Sequence, residues 1–94
     1  MITHVVLLKP KPGITPDEMQ QVLAQVRTLQ QNIPGIVDVQ TGENLSVHHQ
    51  GYTYGFIMRF VDEEHLKAYA PHPAHRLVSD EILRVSSRVI DFDI

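Results

Sequence analysis

The segment ITHVVLLKPKPGITPDEMQQVLAQVRTLQQNIPG, residues 2–35, decides the fold, because it joins a clearly marked strand to a clearly marked helix. Residues 2–9 are rich in aliphatic and β-branched side chains, and the run stops at Pro10, so they predict a β-strand. The residues KPKPG that follow predict a loop, after which Thr15 begins the helix.

The helix is predicted by signals at both of its ends. Thr15 and Glu18 have the spacing of a capping box, in which each side chain accepts a hydrogen bond from the other's backbone N–H. Pro16 falls at the first helical position, where its missing N–H costs nothing, and Pro34 with Gly35 ends the helix. The apolar face consists of side chains that recur at helical spacing: Met19, Val22, Leu23, Val26, Leu29 and Ile33.

The rest of the chain predicts three more strands and two helical segments. Strands are expected at residues 36–45, 52–61 and 87–94, where apolar and polar side chains alternate or β-formers cluster. Asp62 can N-cap a helix that ends near Ala70, because the residue before a proline is pushed out of the helical region. A further helical segment is expected at residues 73–83.

With the two consecutive helical segments of residues 62–83 counted as one, the order of these elements is strand, helix, strand, strand, helix, strand. This is the split β-α-β order, so we predict one α+β domain over residues 1–94 with a ferredoxin-like, four-stranded antiparallel sheet. Both helices would then cover the same face of the sheet.

The first strand is apolar on both faces, since His4, Val6 and Leu8 point one way and Val5 and Leu7 the other. Such a strand is typical of a sheet that is covered on both sides. The helices cover only one side, so we expect a second copy of the chain to cover the other, in an isologous homodimer. The alternative is that Val5 and Leu7 lie at a solvated edge of the sheet.

Composition narrows the class of protein. The chain has 94 residues, 43% of them apolar, and a net charge of −3, so it can form a packed core but lacks a basic stripe for nucleic acid. Cysteine is absent, which removes disulfides, thiolate ligands and thiol nucleophiles and favours a cytoplasmic protein. The apolar run VVLL is too short for a signal sequence or a membrane span.

Several segments together resemble the stress-responsive α/β-barrel family, often called Dabb. They are HVVLLKPKPGITPDEM, IPGIVDVQTGENLS, GYTYGFIMRFVDEEHLKAY, HPAH and VIDFDI, and they cover nearly the whole chain in order. The resemblance implies a homodimer of ferredoxin-like chains whose sheets form a barrel. It extends to the small plant polyketide cyclases of the olivetolic-acid type, which close linear polyketides into aromatic acids by aldol condensation.

In those cyclases a Tyr and a His of the motif Tyr-x-x-His-Pro-x-His form the catalytic pair. The resemblance therefore implies catalytic roles for Tyr69 and His75, and substrate-binding roles for His72 of the same motif and for His4 of the first strand. It also implies a pocket between the sheet and the first helix, with walls formed by Val6, Leu8, Val22, Val26 and Phe56. The two valines of the helix are smaller than the aromatic residues of the cyclases, which implies a different substrate.

The segment AYAPHPAHRL, residues 68–77, admits three interpretations. In the first, the His75 imidazole removes a proton between two carbonyls and the Tyr69 phenol donates to the enolate oxygen, while the two prolines break the helix and let them converge. In the second, Tyr69 is a core residue bonded to backbone, His72 starts the next helix and His75 is a satisfied structural histidine. In the third, His72, His75 and His4 bind a metal ion, but partner carboxylates are not evident and we predict no metal.

Two functions are compatible with these observations. The first is a homodimer that binds a small hydrophobic or aromatic ligand between sheet and first helix, with cofactor-independent His/Tyr acid–base chemistry. The second is a stress-associated structural dimer without turnover. In neither case do we expect a cofactor, a nucleic acid or a membrane as partner.

Overall fold

The computed structural model describes all residues from 1 to 94 and contains four strands and three helices. In chain order they are β1 (Ile2–Pro10), α1 (Pro16–Asn32), β2 (Ile36–Glu43), β3 (Tyr54–Phe60), α2 (Glu63–Tyr69), α3 (Pro73–Val85) and β4 (Ser86–Asp93). The predicted order is confirmed, and the predicted bounds lie within two residues of these. None of the three helices combines the length and the apolar character that crossing a lipid bilayer would require.

Helix α1 carries both of its predicted N-terminal signals. The Thr15 hydroxyl accepts a hydrogen bond from the Glu18 backbone N–H at 3.2 Å, and the Glu18 carboxylate accepts one from the Thr15 N–H at 2.9 Å. Pro16 lies in the first turn. The predicted apolar face of the helix is buried in the core: Met19, Val22, Leu23, Val26 and Leu29.

The four strands form one antiparallel sheet in the order β2-β3-β1-β4, which is the ferredoxin-like arrangement. All three helices contribute to the core on one face of this sheet. The sheet contributes side chains that alternate along the two central strands: Val6, Leu8, Tyr54, Phe56, Met58 and Phe60.

The opposite face, called the open face below, carries no helix. Strand β1 lies between β3 and β4, so the alternative that Val5 and Leu7 lie at an edge of the sheet is wrong. Both side chains are half-buried within the single chain. Ile57, Ile90 and Phe92 of the same face are 39%, 48% and 60% exposed. A contiguous apolar patch of this kind is typical of an interaction surface.

The chain turns sharply between α2 and α3, and the turn ends in a histidine cap. His72 is the N-cap of α3, where its Nδ1 accepts a hydrogen bond from the Ala74 backbone N–H at 3.1 Å, and Pro73 follows in the first turn. The break returns the chain so that His75, in the first turn of α3, lies beside Tyr69, the last residue of α2.

Candidate functional site

Three of the residues nominated from the sequence meet at one place on the helix-covered side of β1. The ring of Tyr69 lies between the rings of His4 and His75, with centroid distances of 5.8 Å and 4.2 Å. Each ring belongs to a different element, so the cluster exists only in the folded chain. The two prolines make it possible, because six residues along an unbroken helix would carry Tyr69 and His75 to different sides of the axis.

The ring of Tyr69 is buried, but its hydroxyl forms no hydrogen bond within the chain. The residue is only 4% exposed, and this burial raises the pKa of the phenol well above its usual value, so it stays protonated. No group of the chain accepts from or donates to the hydroxyl. The only side-chain oxygen or nitrogen that is both fully buried and unpartnered is the Ser86 Oγ, so the Tyr69 hydroxyl reaches the surface. The expectation that it bonds to backbone is therefore wrong.

His75 is held by a backbone carbonyl. Its Nδ1 lies 2.8 Å from the Ala70 carbonyl oxygen, and since a carbonyl only accepts, the Nδ1–H donates. The neutral ring is then unprotonated at Nε2, which has no partner within the chain. This arrangement suits a general base, because the tautomer is set by one nitrogen and the other carries the free lone pair.

His4 has an acidic partner that the sequence did not reveal. Its Nδ1 hydrogen-bonds with a carboxylate oxygen of Asp93, which lies directly opposite on β4. The His4 side chain is 10% exposed and that of Asp93 is 42% exposed, so the pair spans the boundary between core and solvent. Behind it, the rings of Phe56 and Phe60 meet the imidazole edge-on at 6.3 Å and 6.2 Å. Alternation along β4 places Asp93 on the face of His4, but the register needed to pair them is not readable from sequence.

His72 does not join the cluster, since its Nδ1 caps α3. The one group of three potential metal ligands is a different set, in which His4 lies near the exposed carboxylates of Asp91 and Asp93. The proposed combination of His72 and His75 with His4 around a metal is therefore not the one that the fold assembles.

The residues predicted to form the pocket walls are all in the core, where they leave no open pocket. All five are between 0% and 5% exposed and belong to the hydrophobic core: Val6, Leu8, Val22, Val26 and Phe56. A water-sized cavity beside them would expose them, so the space between the sheet and α1 is packed.

An open polar groove lies on the outer side of the cluster instead. It has a volume of about 370 Å³ and reaches His75 from solvent. Its lining comes from the end of α2 and the first turns of α3: Ala70, His75, Arg76, Ser79 and Asp80.

Comparison with known proteins identifies relatives over nearly the whole chain. The family model described as the stress responsive A/B barrel domain, Dabb, matches residues 2–94. The stress-response A/B barrel domain-containing protein HS1 of Arabidopsis thaliana is 30% identical over 76 residues, which cover 79% of this chain and 70% of that protein.

Solved structures share the fold over the full length. A dimeric ferredoxin-like protein of unknown function from Jannaschia sp. CCS1 is 25% identical, with a TM-score of 0.85 over 99% of this chain and 96% of its own. A hydroxynitrile lyase from Passiflora edulis is 15% identical, with a TM-score of 0.88 over 99% of this chain and 90% of its own. At that identity the lyase is similar in fold alone.

Proposed function

This chain belongs to the stress responsive A/B barrel domain family, and from that premise we propose that it is a homodimer that binds a small hydrophobic or aromatic molecule and acts on it by cofactor-independent acid–base chemistry. The observation that carries the proposal is the Tyr69 hydroxyl, which reaches the surface and forms no hydrogen bond within the chain, beside a His75 ring whose Nε2 is likewise unpartnered. Both groups are therefore free to hydrogen-bond to a ligand that approaches from solvent.

The two groups have complementary roles. His75 Nε2 removes a proton from a carbon between two carbonyls, and the Tyr69 O–H donates a hydrogen bond to the enolate oxygen that forms. Burial supports the role of Tyr69, because its raised pKa keeps the phenol a donor. The enolate carbon then attacks a further carbonyl elsewhere in the same molecule. The proton held on His75 Nε2 passes to the alkoxide that this attack forms.

His4 completes the polar side of the site. The Asp93 carboxylate accepts from His4 Nδ1–H, which leaves the unprotonated Nε2 of that ring free to accept a hydrogen bond from a substrate hydroxyl. The hydroxynitrile lyase of Passiflora edulis, which has the same fold, supports the idea that this architecture can house a carbon–carbon bond reaction.

The apolar part of the ligand is proposed to enter between the sheet and α1, among the core side chains of Val6, Leu8, Val22 and Val26. In the packed state these side chains fill the space. Binding there must therefore separate them, and the polar groove beside His75 is the open approach to the reacting groups.

A thermal-shift panel of aromatic and polyketide-like carboxylic acids tests the proposal. A ligand raises the melting temperature according to its affinity for the folded state. We expect at least one acid to stabilise the wild type and the matched control His48→Ala, whose histidine lies in the exposed loop between β2 and β3, but not His75→Ala. Equal stabilisation of His75→Ala would contradict the assignment of the site.

A second candidate is a non-catalytic, stress-associated structural dimer. The packed walls favour it, because a core without free volume needs no ligand to be stable. A panel in which no acid stabilises any variant would support this second function over the first.

A further inference from the structure

The open face contains a depression where two glycines lie side by side. Gly42 of β2 and Gly55 of β3 are paired across the sheet, and neither projects a side chain. The depression, called the glycine trough below, has a volume of about 240 Å³ and apolar walls formed by Val5, Leu7 and Ile57. A Cβ atom placed on Gly42 would meet nothing within 4 Å, so the space above this residue is empty within the single chain.

The same face carries large apolar side chains at its other end. Ile90 and Phe92 of β4 are 48% and 60% exposed. They lie on the open face because they pair with Leu7 and Val5, which alternate with the buried residues of β1. The open face is therefore hollow near β2, and large side chains project from it at β4.

Symmetry limits how two such faces can meet. Two identical sheets that pack face to face are related by a twofold axis lying in the plane between them. An axis across the strands would place β4 of one copy on β4 of the other, so that projections meet projections and hollows meet hollows. An axis along the strands places β4 of one copy over β2 of the other, so that projections meet hollows.

An axis along the strands also aligns the residues that fit. A rotation about this axis keeps each residue at its own level along the strands. Ile90 shares a level with Gly42 and Gly55 through the pairing of β1, and Phe92 shares a level with Ile57.

The same rotation brings the edge strands β2 and β4 of the two copies together. Strand β4 runs antiparallel to β2 after the rotation, since β2 and β1 run in the same direction and β4 runs opposite to both. Each free edge strand is then covered by an antiparallel edge strand of the other copy, which shields it from pairing with further chains.

We propose that the glycine trough is the socket for Ile90 of the partner subunit, with Phe92 of the partner subunit against Ile57. Every contact is made twice, once in each direction. The inference rests on the homodimer of the proposed function and specifies how its two sheets interlock.

Disulfide trapping tests the interlock directly, since the chain has no cysteine of its own. Gly42 and Ile90 of one chain are separated by three strand spacings, about 14 Å, which is too far for a disulfide within the chain. In the double variant Gly42→Cys/Ile90→Cys, mild oxidation should give a covalent dimer on a non-reducing gel. The single variants Gly42→Cys and Ile90→Cys serve as matched controls and should stay unlinked.

The outcomes separate this inference from the dimer itself. Sedimentation equilibrium that finds the wild type monomeric at every concentration would refute the dimer, and the interlock with it. A dimeric wild type whose Ile90→Cys variant alone becomes linked would establish the axis across the strands and overturn the interlock only. A dimeric wild type with no link in the double variant would overturn it as well.

A second pair of variants tests the fit without cysteine. Gly42→Leu fills the trough from its own chain and should raise the dimer dissociation constant about tenfold or more, because overpacking is repeated at both sockets. Adding Ile90→Ala to Gly42→Leu should recover most of this loss. Independent, additive effects of the two substitutions would contradict contact between these positions.

Discussion

The rings of Tyr69 and His75 lie 4.2 Å apart, centroid to centroid, although two prolines stand between the residues. Pro71 is followed by His72, whose Nδ1 caps α3, and the cap starts a new helix at an angle to the old one. The break in the helix therefore creates the pair. Without it, His75 would not lie beside the phenol.

The Tyr69 hydroxyl should be separable from the stability of the fold. It makes no hydrogen bond within the chain, so Tyr69→Phe keeps the packing of the ring and should change the free energy of unfolding by less than about 1 kcal/mol. The same variant should lose ligand stabilisation or turnover, because the enolate oxygen loses its donor. Urea denaturation and the ligand panel measure the two effects. A large loss of stability would instead show the hydroxyl to be structural.

The carboxylate of Asp93 should stabilise the fold through His4. Asp93→Ala leaves a nine-tenths buried imidazole without its partner, and this should cost about 1–3 kcal/mol in urea denaturation. Asp91→Ala is the matched control, because Asp91 lies on the same side of β4 and makes no hydrogen bond. It should change stability by less than about 0.5 kcal/mol. Equal effects of the two substitutions would mean that the His4 pair contributes nothing of its own.

Replacing Gly35, just after α1, should lower stability for two separable reasons, namely its positive φ and the close approach of His65. The φ of Gly35 is +89°, and a Cβ atom there would lie only 2.4–2.6 Å from Cβ, Cγ and Cδ2 of His65. Gly13 has a similar φ of +87° but nothing within 4 Å of its Cβ position. Gly13→Ala should therefore cost about 1–2 kcal/mol from the backbone alone, and Gly35→Ala clearly more, measured by thermal or urea unfolding. A smaller effect at Gly35 would refute the close contact with His65.

The N-cap of α2 should make stability depend on pH. The Asp62 carboxylate accepts from the His65 backbone N–H at 2.9 Å, and this bond, with the His65 ring, lowers the pKa of the carboxyl below 3.8. A lowered folded-state pKa means stabilisation that is complete above the unfolded-state value and is lost as the pH falls through the folded-state value.

Asp62→Asn is the variant that isolates this effect, since asparagine caps a helix as well as aspartate but does not ionise. The wild type should exceed Asp62→Asn in stability by a margin that shrinks as the pH falls from about 5 to about 2, measured by urea unfolding. A margin that stayed constant over this range would exclude the charge of Asp62 as its source.

The architecture was accessible from local signals. Thr15, Glu18 and Pro16 marked α1, and alternation along residues 54–60 marked the buried face of β3. These signals are local because caps and alternation depend on neighbours only a few residues away. The apolar residues on both faces of β1 also indicated correctly that the sheet has an apolar face that no helix covers.

The chemistry of the site was only partly accessible. The pairing of His4 with Asp93 depends on the register of strands 89 residues apart, which no local pattern encodes. The complete burial of Val22 and Val26 depends on how side-chain volumes fill the core, and periodicity says only which face they share. The resemblance to cyclases therefore named three rings that the fold brings together, but it implied an open pocket where the core is closed.

The claim that His75 is a base with a free Nε2 can be tested by long-range ¹H–¹⁵N NMR of the imidazole nitrogens. The bond to the Ala70 carbonyl predicts that neutral His75 is protonated at Nδ1 and bare at Nε2. His72 and His49 are internal controls in the same spectrum, because their Nδ1 atoms accept from backbone N–H groups and must show the opposite tautomer. If His75 proves to be protonated at Nε2 like the controls, the proposed base has no lone pair to use and the account fails.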